Sequence, residues 1–162
     1  MKEVKDNFLS DKEFKSIQDR ILDNEFPWYY NVTPEKQFTH MFYHSNNITS
    51  NFFPFVEPLI KKIDPASLLK VKINLGTRTE KTEKSILHCD GDDAWGRREG
   101  VEGWYTSIFY LNTNNGYTYF EDGSKVKSIA NRLVIFPCYM SHGGASCTDN
   151  DIRVVLNINY IK

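Results

Sequence analysis

Three things are scarce in this chain: long apolar runs, charge of one sign, and cysteine. No apolar stretch in the 162 residues approaches the roughly 20 residues of a membrane-spanning helix, so no membrane association is expected. Lys and Arg total 20 against 21 Asp and Glu, with no basic block, so nothing draws the chain electrostatically to nucleic acid. The opening residues, Met1-Lys2-Glu3-Val4-Lys5-Asp6, are charged with no apolar core behind them, which argues against a secretory signal. Cys89, Cys138 and Cys147 form an odd, sparse set. That pattern predicts reduced thiols in a cytoplasmic setting, not a disulfide framework. The remaining composition is globular, rich in aromatics at 14%, and long enough for one domain with its own core.

Periodicity divides the chain into a helical first part and a strand-rich second part. Ser10-Asp11-Lys12-Glu13 is a capping-box pattern, and Phe14, Ile17, Ile21 and Leu22 follow at helical spacing, which predicts a helix over 11–23. Residues 38–44 suit a strand that separates His40 from His44, both read as ordinary surface or partly buried histidines. A second helix is expected over 55–63, with Pro54 and Pro58 near its start and Asp64-Pro65 at its end. Leu69, Val71, Ile73 and Leu75 alternate with Lys70, Lys72 and Asn74, the pattern of a strand with one buried face. After a polar connection and a turn-like stretch, short strands are expected over 104–111, 117–120, 125–129, 133–136 and 153–161. Ser141-His142-Gly143-Gly144 is expected in a loop. The sum is a mainly β protein with N-terminal helices, its core an antiparallel sandwich or barrel.

The chemistry concentrates at Ser85-Ile86-Leu87-His88-Cys89-Asp90. Residues two apart in extended chain project to one side, so the His88 imidazole and the Asp90 carboxylate can converge on one point. His142 adds a second imidazole. Two imidazoles and one carboxylate make the facial triad of non-haem Fe(II) oxygenases, with coordination positions left open. A His-x-Asp is a weak signal alone, and His142 is equally compatible with a surface loop. Arg153, opening the last strand, strengthens the set, since a buried guanidinium needs a carboxylate partner that a ligand can provide.

From Leu87 onward the chain resembles the 2-oxoglutarate and Fe(II)-dependent oxygenases, in particular the prolyl-4-hydroxylase-like branch and its compact phage-encoded members. The matching pieces are His88-Cys89-Asp90, residues 107–112, residues 115–120, Arg132-Leu133-Val134-Ile135-Phe136-Pro137, His142, and Arg153 to Asn157. The resemblance implies a double-stranded β-helix (jelly-roll, cupin-like) core over about 67–162, with the helical part, about 1–66, in the same unit. It implies Fe(II) held by His88, Asp90 and His142, with 2-oxoglutarate as cosubstrate, O2 as oxidant and ascorbate as auxiliary reductant. Arg153 would pair with the distal carboxylate of 2-oxoglutarate, with Tyr110 and Asn157 helping to hold it. The implied reaction hydroxylates a C–H bond of a peptidyl proline or other amino-acid side chain, releasing succinate and CO2. The partners are then 2-oxoglutarate and a peptide or small-molecule substrate, in a host cytoplasm if the chain is phage-encoded.

Two departures from the branch stand out. Asn115-Gly116 replaces a pair of glycines, and no tyrosine upstream of His88 matches a second cosubstrate contact of some relatives. Asp90 is retained, unlike the replaced carboxylate of a halogenase. Trp28-Tyr29-Tyr30 and the loop carrying Trp95, Arg97 and Arg98 are candidates for the mouth of the site, although packing and solvated charge explain them as well. The competing reading is a non-catalytic jelly-roll module that binds metal or another ligand without oxidation.

Overall fold

A computed structural model describes residues 1–32, 36–90 and 103–162. Helix α1 spans Asp11–Ile21, and both halves of its capping box form between Ser10 and Glu13. Its stripe buries Ile17 and Ile21, while Leu22 falls at the C-cap and stays exposed. Helix α2 spans Phe53–Ile63, two residues earlier than the prolines suggested, and ends at Asp64 in the left-handed conformation (φ 54°). Pro58 lies inside it. None of the described helices is long and apolar enough to cross a membrane.

All strand pairing is antiparallel. The strands of the larger sheet are β1 (Glu3–Lys5), β2 (Tyr29–Asn31), β3 (Gln37–His44), β4 (Asn47–Ile48), β5 (Ser67–Thr77), β6 (Trp104–Tyr110), β9 (Arg132–Pro137) and β11 (Ile152–Ile161). Their order is β1-β9-β6-β11-β5-β3-β2, with β4 on β3. The smaller sheet is β10-β7-β8, from β7 (Tyr117–Phe120), β8 (Lys125–Lys127) and β10 (His142–Ala145). The first part of the chain therefore contributes strands to the main sheet as well as two helices. His40 is buried, its Nδ1–H donating to Pro27 O and its Nε2 accepting from Ser50 Oγ, while His44 is exposed beside a register shift in β3.

Alternation decides what each face of the larger sheet touches. Val154, Leu156, Ile158 and Tyr160 of β11 pack with Val71 and Ile73 of β5, Phe109 of β6 and the apolar stripes of both helices. The opposite face of β6 and β9 packs Ile108, Tyr110, Val134 and Phe136 against Phe120 and Val126 of the smaller sheet. Arg153, Asn157 and the β5 residues Lys70, Lys72 and Asn74 share that inward side and line a cavity.

The expected loop at His142 is instead β10, paired with β7 so that Gly143 lies opposite Tyr119. A Cβ on Gly143 would sit 2.8 Å from the Tyr119 ring. Glycine obscured the strand in the sequence, but only its bare backbone admits that ring.

Asn131 ties the start of the chain to this core. At φ 61° it precedes β9; its Oδ1 accepts from Leu9 N and its Nδ2 donates to Leu9 O, both at 2.9 Å. Asn131→Ala strands two buried backbone groups and puts a Cβ-bearing residue without a compensating amide in the left-handed region. A loss of about 2–4 kcal/mol of stability is expected, measured as a lowered urea midpoint at unchanged slope.

Candidate metal centre

The chain reaches the site from two directions. His88 and His142 form an isolated antiparallel bridge, with His88 N donating to His142 O (3.0 Å) and His142 N to His88 O (2.9 Å). Asp90 N donates to Cys138 O at 3.2 Å, which fixes the next turn of backbone. This pairing sets the two imidazoles with centroids 4.7 Å apart.

Each ring is oriented by its rear nitrogen. His88 Nδ1 lies 3.2 Å from Ile86 O and His142 Nδ1 lies 3.0 Å from Met140 O. A carbonyl only accepts, so both Nδ1 atoms carry the proton and both Nε2 atoms present a lone pair when the rings are neutral. His88 Nε2 is 3.9 Å from Asp90 Oδ1, and His142 Nε2 is 3.7 Å from Asp90 Oδ2. One donor atom from each residue lies within 4.8 Å of the others. The His88 side chain is 44% exposed, against 10% for Asp90 and 5% for His142, so the cluster opens to the outside past His88.

Asp90 is held from behind. Thr106 Oγ1 donates to Oδ2 at 2.7 Å, and Asn159 Nδ2 donates to the same oxygen at 3.0 Å. Asn159 Nδ2 also reaches Thr106 Oγ1 at 2.9 Å. Oδ1 has no hydrogen bond to a described residue and faces His88. Burial pushes the carboxyl pKa up, but the His142 imidazole, the Lys70 ammonium and these two donors outweigh it and hold it below its ordinary value. An ionised carboxylate with one oxygen committed, beside two imidazole lone pairs, is a donor set suited to a divalent first-row metal.

The cluster borders a cavity of about 410 Å³ that also reaches Arg153. Its guanidinium is part-buried, and its described partners are neutral: Nε donates to Ser128 Oγ at 3.0 Å, Nη2 to Thr118 Oγ1 at 3.4 Å, and the Tyr110 ring lies 5.9 Å away. Burial lowers its pKa, opposed by Tyr110 and Cys147. A guanidinium nevertheless stays charged at any working pH, and a buried cation without a counter-anion is a costly arrangement that a bound anion relieves. Gly116 makes room for its stem, since a Cβ there would lie 2.7 Å from Arg153 Cδ.

Of the residues singled out in the sequence, His88, Asp90 and His142 converge, and Arg153 and Asn157 line the same cavity. Tyr110 stands behind it, fully buried, its hydroxyl donating to Thr118 Oγ1 at 2.7 Å. Trp28 packs on Phe26, while Tyr29 and Tyr30 are exposed on β2 and do not line the cavity. Trp95, Arg97 and Arg98 lie outside the described residues. Sequence reasoning missed Thr106 and Asn159, which orient Asp90, and Thr118 and Ser128, which orient Arg153. Inward register positions two residues apart on β6 and β11 were the available signal.

No protein-family model matches the chain, and no curated protein does. Solved structures do match in fold. A viral collagen prolyl hydroxylase from Paramecium Bursaria Chlorella virus-1, in complex with 2OG, is 16% identical with a TM-score of 0.62, over 99% of this chain and 96% of that one. A Pseudomonas putida prolyl-4-hydroxylase is 12% identical with a TM-score of 0.65, over 99% and 92%. The non-heme alpha ketoglutarate dependent carbocyclase SnoK from nogalamycin biosynthesis is 14% identical with a TM-score of 0.69, over 99% and 79%. The fold is thus the double-stranded β-helix of the 2-oxoglutarate oxygenases.

Thr106→Val keeps the shape of a fully buried side chain but removes a donor from Asp90 Oδ2. Mn(II) affinity, measured by calorimetric titration, is expected to fall about 10–100-fold with the far-UV spectrum unchanged. Undiminished affinity would show that this hydroxyl does not orient the carboxylate for a metal.

Proposed function

We propose that the chain is an Fe(II)- and 2-oxoglutarate-dependent dioxygenase, acting as one unit over residues 1–162, that hydroxylates a C–H bond of an amino-acid side chain, free or in a peptide. The observation that carries this reading is one cavity bordered by both a His-Asp-His donor cluster and a part-buried arginine whose described partners are neutral. Peptidyl proline is a first candidate because the neighbours include prolyl hydroxylases. The three unpaired cysteines suit a reducing cytoplasmic setting.

In this reading His88 Nε2, His142 Nε2 and Asp90 Oδ1 would hold the metal. Fe(II) bound there would activate O2 for the oxidative decarboxylation of 2-oxoglutarate to succinate and CO2, with the second oxygen atom going to substrate as hydroxyl. Arg153 takes the distal carboxylate of the keto acid, and its guanidinium arrives pre-oriented by Ser128 and Thr118. Tyr110 acts on that carboxylate through Thr118, whose hydroxyl it anchors. Asn157 sits two positions beyond Val155 on the same face of β11, where its side-chain amide would donate through Nδ2 to the same carboxylate. Ile108 and Val155 add apolar wall that excludes water from the keto acid.

Purified protein with Fe(II) is expected to release CO2 from carboxyl-labelled 2-oxoglutarate, and His142→Ala to abolish the release. Arg153→Leu is expected to raise the KM for 2-oxoglutarate by about 30-fold or more, since truncating one partner of a buried charge pair costs roughly 2–5 kcal/mol. Metal binding with no CO2 release under any condition would instead favour the non-catalytic binding module.

A further inference from the structure

Three buried side-chain atoms have no hydrogen-bond partner among the described residues, and all three are asparagine oxygens on the paired strands β5 and β11: Asn74 Oδ1, Asn157 Oδ1 and Asn159 Oδ1. Folded proteins leave few such groups, because an unmade bond to a buried acceptor costs stability. Asn159 is accounted for by its other end. Its Nδ2 donates to Asp90 Oδ2 at 3.0 Å and to Thr106 Oγ1 at 2.9 Å, which turns Oδ1 away from both. Asn74 and Asn157 instead line the cavity, and no hydrogen bond to a described residue holds either amide. Asn74 is only 8% exposed. The chemistry above uses Asn157 through Nδ2 alone and Asn74 not at all.

The two amides are neighbours. Asn74 lies opposite Val155, and Asn157 follows two positions along β11, so the pair is diagonal across the two strands. Diagonal residues stand about 7–8 Å apart at the backbone, within reach of side chains that lean together. Along β5, Asn74 falls between Gly76, which faces Arg153, and Lys70, which faces Asn159. The acceptor pair is therefore midway between the guanidinium and the metal cluster. Two acceptors call for two donor hydrogens, and a hydroxyl carries one. An ammonium carries three, but the Lys70 ammonium, close enough to act on Asp90, and the Arg153 guanidinium border the same cavity. Like charge brought between them is costly. A neutral –NH2 group fits both the number of acceptors and the field.

Resting on the oxygenase reading of the cavity, we propose that Asn74 Oδ1 and Asn157 Oδ1 accept the two N–H bonds of a primary carboxamide on the substrate. The substrate is then an amino acid, free or in a peptide, whose side chain ends in that group. A peptidyl proline has no N–H of its own to offer and would leave both oxygens unsatisfied. Asn74 is a specificity-determining residue on this account. It selects by hydrogen-bond donors, and a site built on buried acceptors strongly rejects an analogue that lacks them.

The test uses the full chain loaded with Zn(II) and saturating 2-oxoglutarate, so that the Arg153 seat is filled. Acetamide and N,N-dimethylacetamide, which has no N–H, are titrated separately and followed by backbone amide NMR. Acetamide is expected to give saturable shifts at residues 73–75 and 156–158, and the dimethyl compound none. Asn74→Leu, similar in shape but without an acceptor, should weaken acetamide binding at least tenfold. Its urea midpoint should stay level or rise, since the variant removes an unsatisfied group. Equal shifts from both probes, undiminished acetamide binding in Asn74→Leu, or no saturable binding to protein that holds 2-oxoglutarate normally, overturns the proposal. A lowered midpoint overturns it too, because the amide would then be satisfied before any ligand arrives. If the protein holds no 2-oxoglutarate, yet acetamide still shifts these residues and Asn74→Leu loses that response, the carboxamide seat stands and the oxygenase reading fails.

Discussion

The two-residue alternation of β11 is the constraint on which the rest depends. Its even positions, Val154 to Tyr160, are fully or nearly fully buried against the helices. A one-residue slip would expose that row and bury the polar one, so register is strongly specified. Because the apolar row is locked, Arg153, Val155 and Asn157 have no choice but to face the cavity, and Asn159 meets Asp90 behind it. Hydrophobic burial on one side of a strand thereby positions a charged and polar series on the other. Packing supplies the precision here, and the site residues themselves contribute little to it.

The same strand links the two ends of the site. Asn159 holds Asp90 together with Thr106 from β6, while Arg153 lies at the far end beside Ser128 and Thr118. Donor cluster and guanidinium are therefore spaced by one rigid element that pairs with β5 along its whole length. The histidines enter from separate segments but share a backbone bridge, so neither can shift without the other. Rear hydrogen bonds from both Nδ1 atoms and to Asp90 Oδ2 leave the inward atoms committed in direction before any ligand arrives.

What could be seen in the sequence follows from this. The capping box at Ser10 and the alternation of β5 and β11 are local signals, and the elements formed within a few residues of where the pattern placed them. His88 and Asp90 converge because extended chain repeats every two residues. β10 was invisible, because Gly143 suppresses strand propensity while serving the ring of Tyr119. The cavity on the inward face of β5 was hidden for a different reason. Lys70, Lys72 and Asn74 look like a solvated face, since a polar cavity and bulk water impose the same alternation. Thr106 and Asn159 stayed hidden because their partner, Asp90, is distant in the chain and reaches them only through the fold.

The two departures from the oxygenase pattern have structural accounts. Gly116, the second of the expected glycine pair, is retained where a Cβ would collide with the Arg153 stem and with Ala145 O. Asn115 occupies the exposed first position and uses its side chain: Nδ2 donates to Thr148 Oγ1 at 2.7 Å and Oδ1 accepts from Thr148 N at 2.9 Å. Its own N–H donates to Asp149 Oδ1 at 2.9 Å. These bonds pin the turn that leads into β11, a few residues before Arg153. The substitution thus adds support to the arginine rather than removing it. Gly76 lies opposite Arg153 on β5, and a Cβ there would meet nothing within 4 Å. The cavity therefore has open space opposite Arg153, and Asn74, two residues earlier on the same strand, brings a buried amide oxygen without a hydrogen-bond partner.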